Sequence, residues 1–139
     1  MADPFNLERF VEAQAHAYEQ ARRELEAGRK ESHWMWFIFP QITGLGQSAM
    51  STRFAIASLD EAKAYLAHPV LGQRLRTCAK LALDAPAATA RAIFGPVDEM
   101  KFRSSMTLFA KAAPDEGVFQ RCLDKYFAGA PDPATLARL

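Results

Sequence analysis

The stretch that constrains this chain most is His33-Trp34-Met35-Trp36-Phe37-Ile38-Phe39-Pro40-Gln41. It holds both tryptophans and two of the ten phenylalanines. Large aromatic side chains bury more area each than any others, so a run this dense nucleates a core. Polar residues flank it: Arg29, Lys30, Ser32 and His33 before, Gln41, Thr43, Gln47 and Ser48 after. Such a block is either a buried spine or the wall of a pocket, and the residues leave both open. A run this short has no periodicity that separates helix from strand. No second strand-like segment of comparable quality is there to pair with it, and an unpaired strand leaves its backbone groups unsatisfied. The block therefore predicts a short helix ending before Pro40. Residues 40–48, with one proline, two glycines, Thr43 and Ser48, predict a loop.

The rest of the chain reads as helices around this block. Asp3-Pro4 suits a helix start, with Asn6 as an alternative cap. Leu7, Phe10, Val11, Gln14, Tyr18, Ala21 and Leu25 then recur at spacings of three and four, which predicts one amphipathic helix of about six turns ending at Gly28. A short helix is expected over Ser51–Ala57. Ser58 or Asp60 caps another over Glu61–Ala67. Pro69 fits the first turn of a helix through Leu71, Leu75, Cys78, Ala82 and Leu83. Thr89 caps an Ala-rich turn that ends at Phe94-Gly95-Pro96, and Asp98 caps a helix from Glu99 to about Ala112. Glu116–Ala128 carries a broad apolar stripe, Gly129 stops it, and Asp132-Pro133 starts a final turn.

A length of 139 residues is enough for one domain with a sizeable core. The expected architecture is all-α, a single compact multihelical domain over residues 1–139. It has three to four longer helices, several short ones and no regular bundle.

Seventeen basic residues against sixteen acidic ones give no global field for nucleic acid or an anionic membrane. No apolar run approaches the roughly 20 residues of a membrane span. The start Met1-Ala2-Asp3-Pro4 has no basic opening and no signal core. The expectation is a cytoplasmic monomer with no nucleic-acid or membrane partner. Cys78 and Cys122 lie far apart within helical, apolar surroundings and read as buried free thiols. His16, His33 and His68 are scattered without ligand spacing, so no metal and no cofactor are expected.

Residues Ser32–Gln41, with Gly44-Leu45-Gly46 and Ser48, resemble the hallmark of a family of small, mainly bacterial proteins, domain-of-unknown-function family eighteen-ten. Further blocks agree: Asp3–Leu7 with Arg9-Phe10, Gly28-Arg29-Lys30, His68-Pro69 with Leu71-Gly72, Ile93-Phe94-Gly95, Lys101 with Arg103–Phe109, and Asp132 with Thr135-Leu136. The likeness spans nearly the whole chain. It implies a single multihelical domain, supports a helix over 33–39, and implies no established activity. Members are sometimes labelled calpastatin, yet true calpastatins are long disordered inhibitors and this chain is apolar-rich.

Two constellations are candidates for chemistry. The first is Arg29, Lys30, Ser32, His33, Gln41, Gly44, Gly46 and Ser48, with the faces of Trp34 and Trp36 between them. Glycines let a backbone approach a ligand and present N–H groups to an anion, and the indoles offer a surface for a ring or cation. Its bland alternative is a tight surface turn beside a core plug. The second is Lys101, Arg103, Ser104, Ser105 and Thr107. On a helix Lys101 shares a face with Ser105, and Arg103 with Thr107. Its bland alternative is a close helix crossing with basic residues reaching solvent.

A short helix of about 10 Å at 1.5 Å per residue keeps both ends of the aromatic block within reach of one ligand. Lys101 and Arg103 are expected to join from the Asp98 helix. No nucleophile carries a signature. The expected function is binding of a small anionic ligand with a flat ring, nucleotide or ADP-ribose-like, with hydrolytic chemistry left open. The alternative is a non-enzymatic protein-interaction module.

Overall fold

A computed structural model describes residues 3–139. Met1 and Ala2, part of the N-terminal stretch read above, lie outside the described residues. The described chain forms nine helices: α1 (Glu8–Gln14), α2 (Tyr18–Glu26), α3 (Met35–Ile38), α4 (Ala49–Arg53), α5 (Leu59–Ala67), α6 (Leu71–Asp84), α7 (Ala90–Ala112), α8 (Gly117–Phe127) and α9 (Pro133–Leu136). The fold is all-α, without a regular bundle. Among the described residues the β-structure is a single isolated parallel bridge, Ile42 to Ile56. No helix among them is long and apolar enough to cross a membrane.

The aromatic block is the short helix α3, and it stops before Pro40 as expected. Phe39 leaves the helical region (φ −124°, ψ 73°), since the proline after it disfavours helical geometry there. Trp34, Met35, Phe37, Ile38 and Phe39 are all buried in one contiguous core. Phe39 packs edge-on to Phe102 (5.1 Å between ring centroids) and Phe94 (5.8 Å). Phe94 stacks on Phe102 at 4.5 Å. On the other side Phe37 meets Phe54, and Tyr65 joins Phe10 to Phe109. Cys78 and Cys122 are buried free thiols, and burial pushes both up to about 12.

Four expected elements differ. The long first helix is broken at residues 15–17 into α1 and α2. Ala15 and Ala17 are strong helix formers, so packing imposes the break. The Gln14 amide turns inward to donate to the Phe37 carbonyl (2.7 Å) and the Tyr65 hydroxyl (3.0 Å). Here α1 packs on α3, whereas α2 packs on α6.

The helix expected over 51–57 starts and ends earlier, at Ala49–Arg53. Ser48 caps it by accepting from the Ser51 N–H, and Ile56 is taken by the bridge, donating to Gln41 and accepting from Thr43. Pro69 precedes α6 and is outside it. The His68 ring caps that helix, its Nδ1 accepting from the N–H groups of Val70 and Leu71.

Finally, α7 runs from the Thr89 cap to Ala112 with a break at Gly95 (φ 84°), and Pro96 opens its second part, where a missing N–H costs little. Asp98 is therefore inside α7 and is not its cap.

Candidate functional site

The two tryptophans have different fates. Trp34 is fully buried, and its indole Nε1 donates to Glu24 Oε1 at 2.9 Å. The same buried carboxylate accepts from the N–H groups of Glu31 and Ser32, the Ser32 hydroxyl and the Gln20 amide. Burial alone raises its pKa. The Ser32 hydroxyl, the two N–H groups and Gln20 outweigh that and hold it down at about 2, against an ordinary value of 4.5. The polar residues ahead of the aromatic block thus close around Glu24, which fastens α2 to the start of α3.

Lys30 joins the same frame. Its N–H donates to the Ile93 carbonyl and its ammonium to the Ser32 carbonyl (2.6 Å), and it sits 5.1 Å from the Trp34 ring. Its ion pair is with Asp98, at 3.0 Å. Lys101 takes the other Asp98 oxygen, also at 3.0 Å, and lies 5.0 Å from the Trp36 ring. One carboxylate therefore bridges two ammonium groups, each over an indole. Burial raises the Asp98 pKa, but Lys30 and Lys101 hold it below the carboxylate range.

Trp36 is half-buried, and its exposed side begins a groove. A slot with room for about one water (10 Å³) is lined by Trp36, Ile42, Gly44 and Phe54. Through Gln41, Leu45, Gly46 and Ser51 it continues into an open cleft of 250 Å³. Met100, Lys101 and Ser104 of α7 form the facing wall, with Asp132 and Ala134 at the end. Asp132 is buried and accepts from the hydroxyls of Ser104 (2.7 Å) and Thr135 (2.6 Å), while its own N–H donates to Thr107. Burial raises its pKa, but these hydroxyls hold it below the ordinary value.

The glycines of the loop leave room for neighbours. Gly44 has φ 93°, and a Cβ there would lie 2.4 Å from the Arg138 guanidinium. A Cβ on Gly46 would lie 2.7 Å from the Ser51 hydroxyl.

Of the residues singled out in the sequence, the structure gathers Trp36, Gln41, Gly44, Gly46, Lys101 and Ser104 along this groove. Lys30 and Trp34 stand behind its wall in the Glu24 and Asp98 frame. Arg29 opens onto a separate 320 Å³ hollow with Gln20, Arg23 and Glu31. His33 is exposed and makes no side-chain hydrogen bond among the described residues. Ser48 is the α4 cap. Arg103 donates to the carbonyls of Ala130 and Pro131 and lies over Phe127, so it anchors the segment before α9. Ser105 points into the core, with its hydroxyl unpartnered among the described residues. Ser104, one position earlier, is the α7 serine that lines the cleft.

Sequence reasoning passed over Ser51, Met100, Asp132 and Arg138. Asp132 read as a helix cap, a role that gives no sign of burial. No group of three or more His, Cys, Asp or Glu residues suited to a metal occurs among the described residues.

No curated protein matches the chain. A solved structure does: the crystal structure of a conserved hypothetical protein from Mycobacterium tuberculosis, 50% identical, with a TM-score of 0.97, covering 99% of this chain and 98% of that one. Residues 4–139 match the family described as "Protein of unknown function (DUF1810)". Neither match is described as a calpastatin. With the match running from the N-terminal Pro4 to Leu139 through the aromatic block, the groove and α9, the chain belongs to the DUF1810 family.

Proposed function

We propose that this protein binds a small anionic, ring-bearing metabolite in the groove between the Gly44–Ser51 loop and α7. The observation that carries the reading is convergence. Gln41, Gly46 and Ser51 from one stretch meet Lys101, Ser104 and Asp132 from two others around one concave space. A cleft with a few convergent polar groups and apolar flanks is the usual form of a small-molecule site. Leu45 and Met100 supply the apolar contacts, since the Trp36 indole already carries Lys101. At 250 Å³ the cleft falls below the roughly 300–1,000 Å³ of pockets for drug-sized ligands, which favours a single nucleotide or sugar phosphate over a whole ADP-ribose. Asp132 gives such a ligand an acceptor for hydroxyl or ring N–H groups. Ser104 has no histidine beside it in the cleft lining, so the geometry favours binding over hydrolysis.

The test is a thermal-shift screen with mononucleotides and phosphorylated sugars on wild type and Lys101→Ala. A ligand at a hundred times its Kd stabilises by about 2.7 kcal/mol. The expected result is a rise in Tm for wild type that shrinks in Lys101→Ala. Stability of the unliganded variant should fall by no more than about 1 kcal/mol, because Lys30 still pairs Asp98. Absence of any shift at millimolar concentration across the panel would remove the reading.

A further inference from the structure

The cations near the groove are not equivalent. Lys30 and Lys101 share Asp98, and Arg103 is spent on two backbone carbonyls. Arg138 is different. It forms no ion pair among the described residues, and its guanidinium packs on the backbone of Gly44, whose missing Cβ makes the space. In the same loop, the N–H groups of Gly44, Gly46 and Gln47 donate to no acceptor among the described residues. At the other end of the cleft, Asp132 places a negative charge next to Ser104. A negative charge repels a ligand's oxyanion from that end and accepts from hydroxyls instead.

We propose that Arg138, seated on Gly44, is the groove's oxyanion-binding cation, so that a phosphorylated sugar lies with its phosphate on the Gly44–Gln47 loop and its hydroxyls toward Asp132. The proposal rests on the groove being a ligand site, as argued above. A guanidinium presents a planar fork of donors that matches two phosphate oxygens at once. Exposed N–H groups complete such a site without further side chains. Lys101 keeps its place in the Asp98 bridge and lines the wall, so it adds to binding but less than Arg138 does.

Amide NMR titrations with inorganic phosphate, ribose and ribose 5-phosphate test this on wild type, Arg138→Gln and Lys101→Ala. In wild type, both phosphate and ribose 5-phosphate should shift the amides of residues 44–47, while only ribose 5-phosphate also shifts that of Asp132. Arg138→Gln should weaken ribose 5-phosphate about tenfold or more, the scale of one charge-assisted hydrogen bond, with its Tm close to wild type. Unchanged affinity in Arg138→Gln, with loss in Lys101→Ala, would overturn the assignment and leave the groove a ligand site. Failure of every phosphorylated probe to move any groove amide of wild type would overturn both.

Discussion

Glu24 shows how much a single side chain organises here. Five hydrogen bonds converge on one buried carboxylate, from Gln20, Glu31, Ser32 (twice) and Trp34. Its pKa of about 2 lies below the ordinary 4.5. A carboxylate depressed in this way stabilises the fold above its unfolded pKa, and that contribution disappears as pH falls from about 4.5 to about 2. The shift corresponds to roughly 3 kcal/mol. Urea denaturation of wild type and Glu24→Gln across pH 7 to 2 should show wild type more stable at neutral pH, with the gap narrowing through that window. Parallel pH profiles would show that Glu24 is not the group responsible. The sequence read Arg29, Lys30, Ser32 and His33 as handles for a ligand. What it could not display was a buried carboxylate on the preceding helix, where Glu24 stands between Glu19 and Glu26 among arginines. A charged residue's burial depends on which donors the fold brings to it, and those donors lie up to ten positions further along.

Elements were legible where their signals are local. Thr89 is a cap as read, Ser58 is the cap where the sequence offered Ser58 or Asp60, and Gly95-Pro96 marks the break in α7. Elements shaped by tertiary contacts were not. The turn at 15–17 follows from Gln14 reaching α3, and the short α4 follows from Ile56 bridging to Ile42. The packing of α5 on α6 is of the same kind and is testable. Gly72 lies at this crossing, and a Cβ there would meet the Leu66 carbonyl oxygen at 2.1 Å. Backbone cannot yield as a flexible side chain does. Gly72→Ala should cost about 1–3 kcal/mol despite the higher helix propensity of alanine. Chemical denaturation checks this, and an equal or higher midpoint would show that the crossing relaxes freely.

At the scale of the molecule, the aromatic block divides its two faces between stability and a site. Trp34, Phe37 and Phe39 hold the core, while Trp36 looks onto the groove. The block's dense aromatics foretold the first role, and the glycines after Pro40 pointed to the second. The far wall of the groove was half legible. Lys101, Ser104 and Ser105 all stand out in the sequence, but only Ser104 faces the cleft, because a one-residue difference rotates a helical side chain by about 100°. Asp132 reaches the groove, and Arg138 the backbone of Gly44, only through the docking of α9 beside α7, which no local pattern encodes. The exposed large apolar residues among those described are Val97, Met100, Leu136 and Leu139, and Met100 already belongs to the groove. Single exposed apolar residues are ordinary on a protein surface, so the interaction-module alternative gains little from them.

The most direct measurement is a co-crystal structure with the phosphorylated compound that gives the largest thermal shift. The expected result is difference density in the cleft between Leu45 and Met100, within hydrogen-bond reach of Ser51 or Asp132. Density in the Arg23–Arg29 hollow, with the cleft empty, would contradict it.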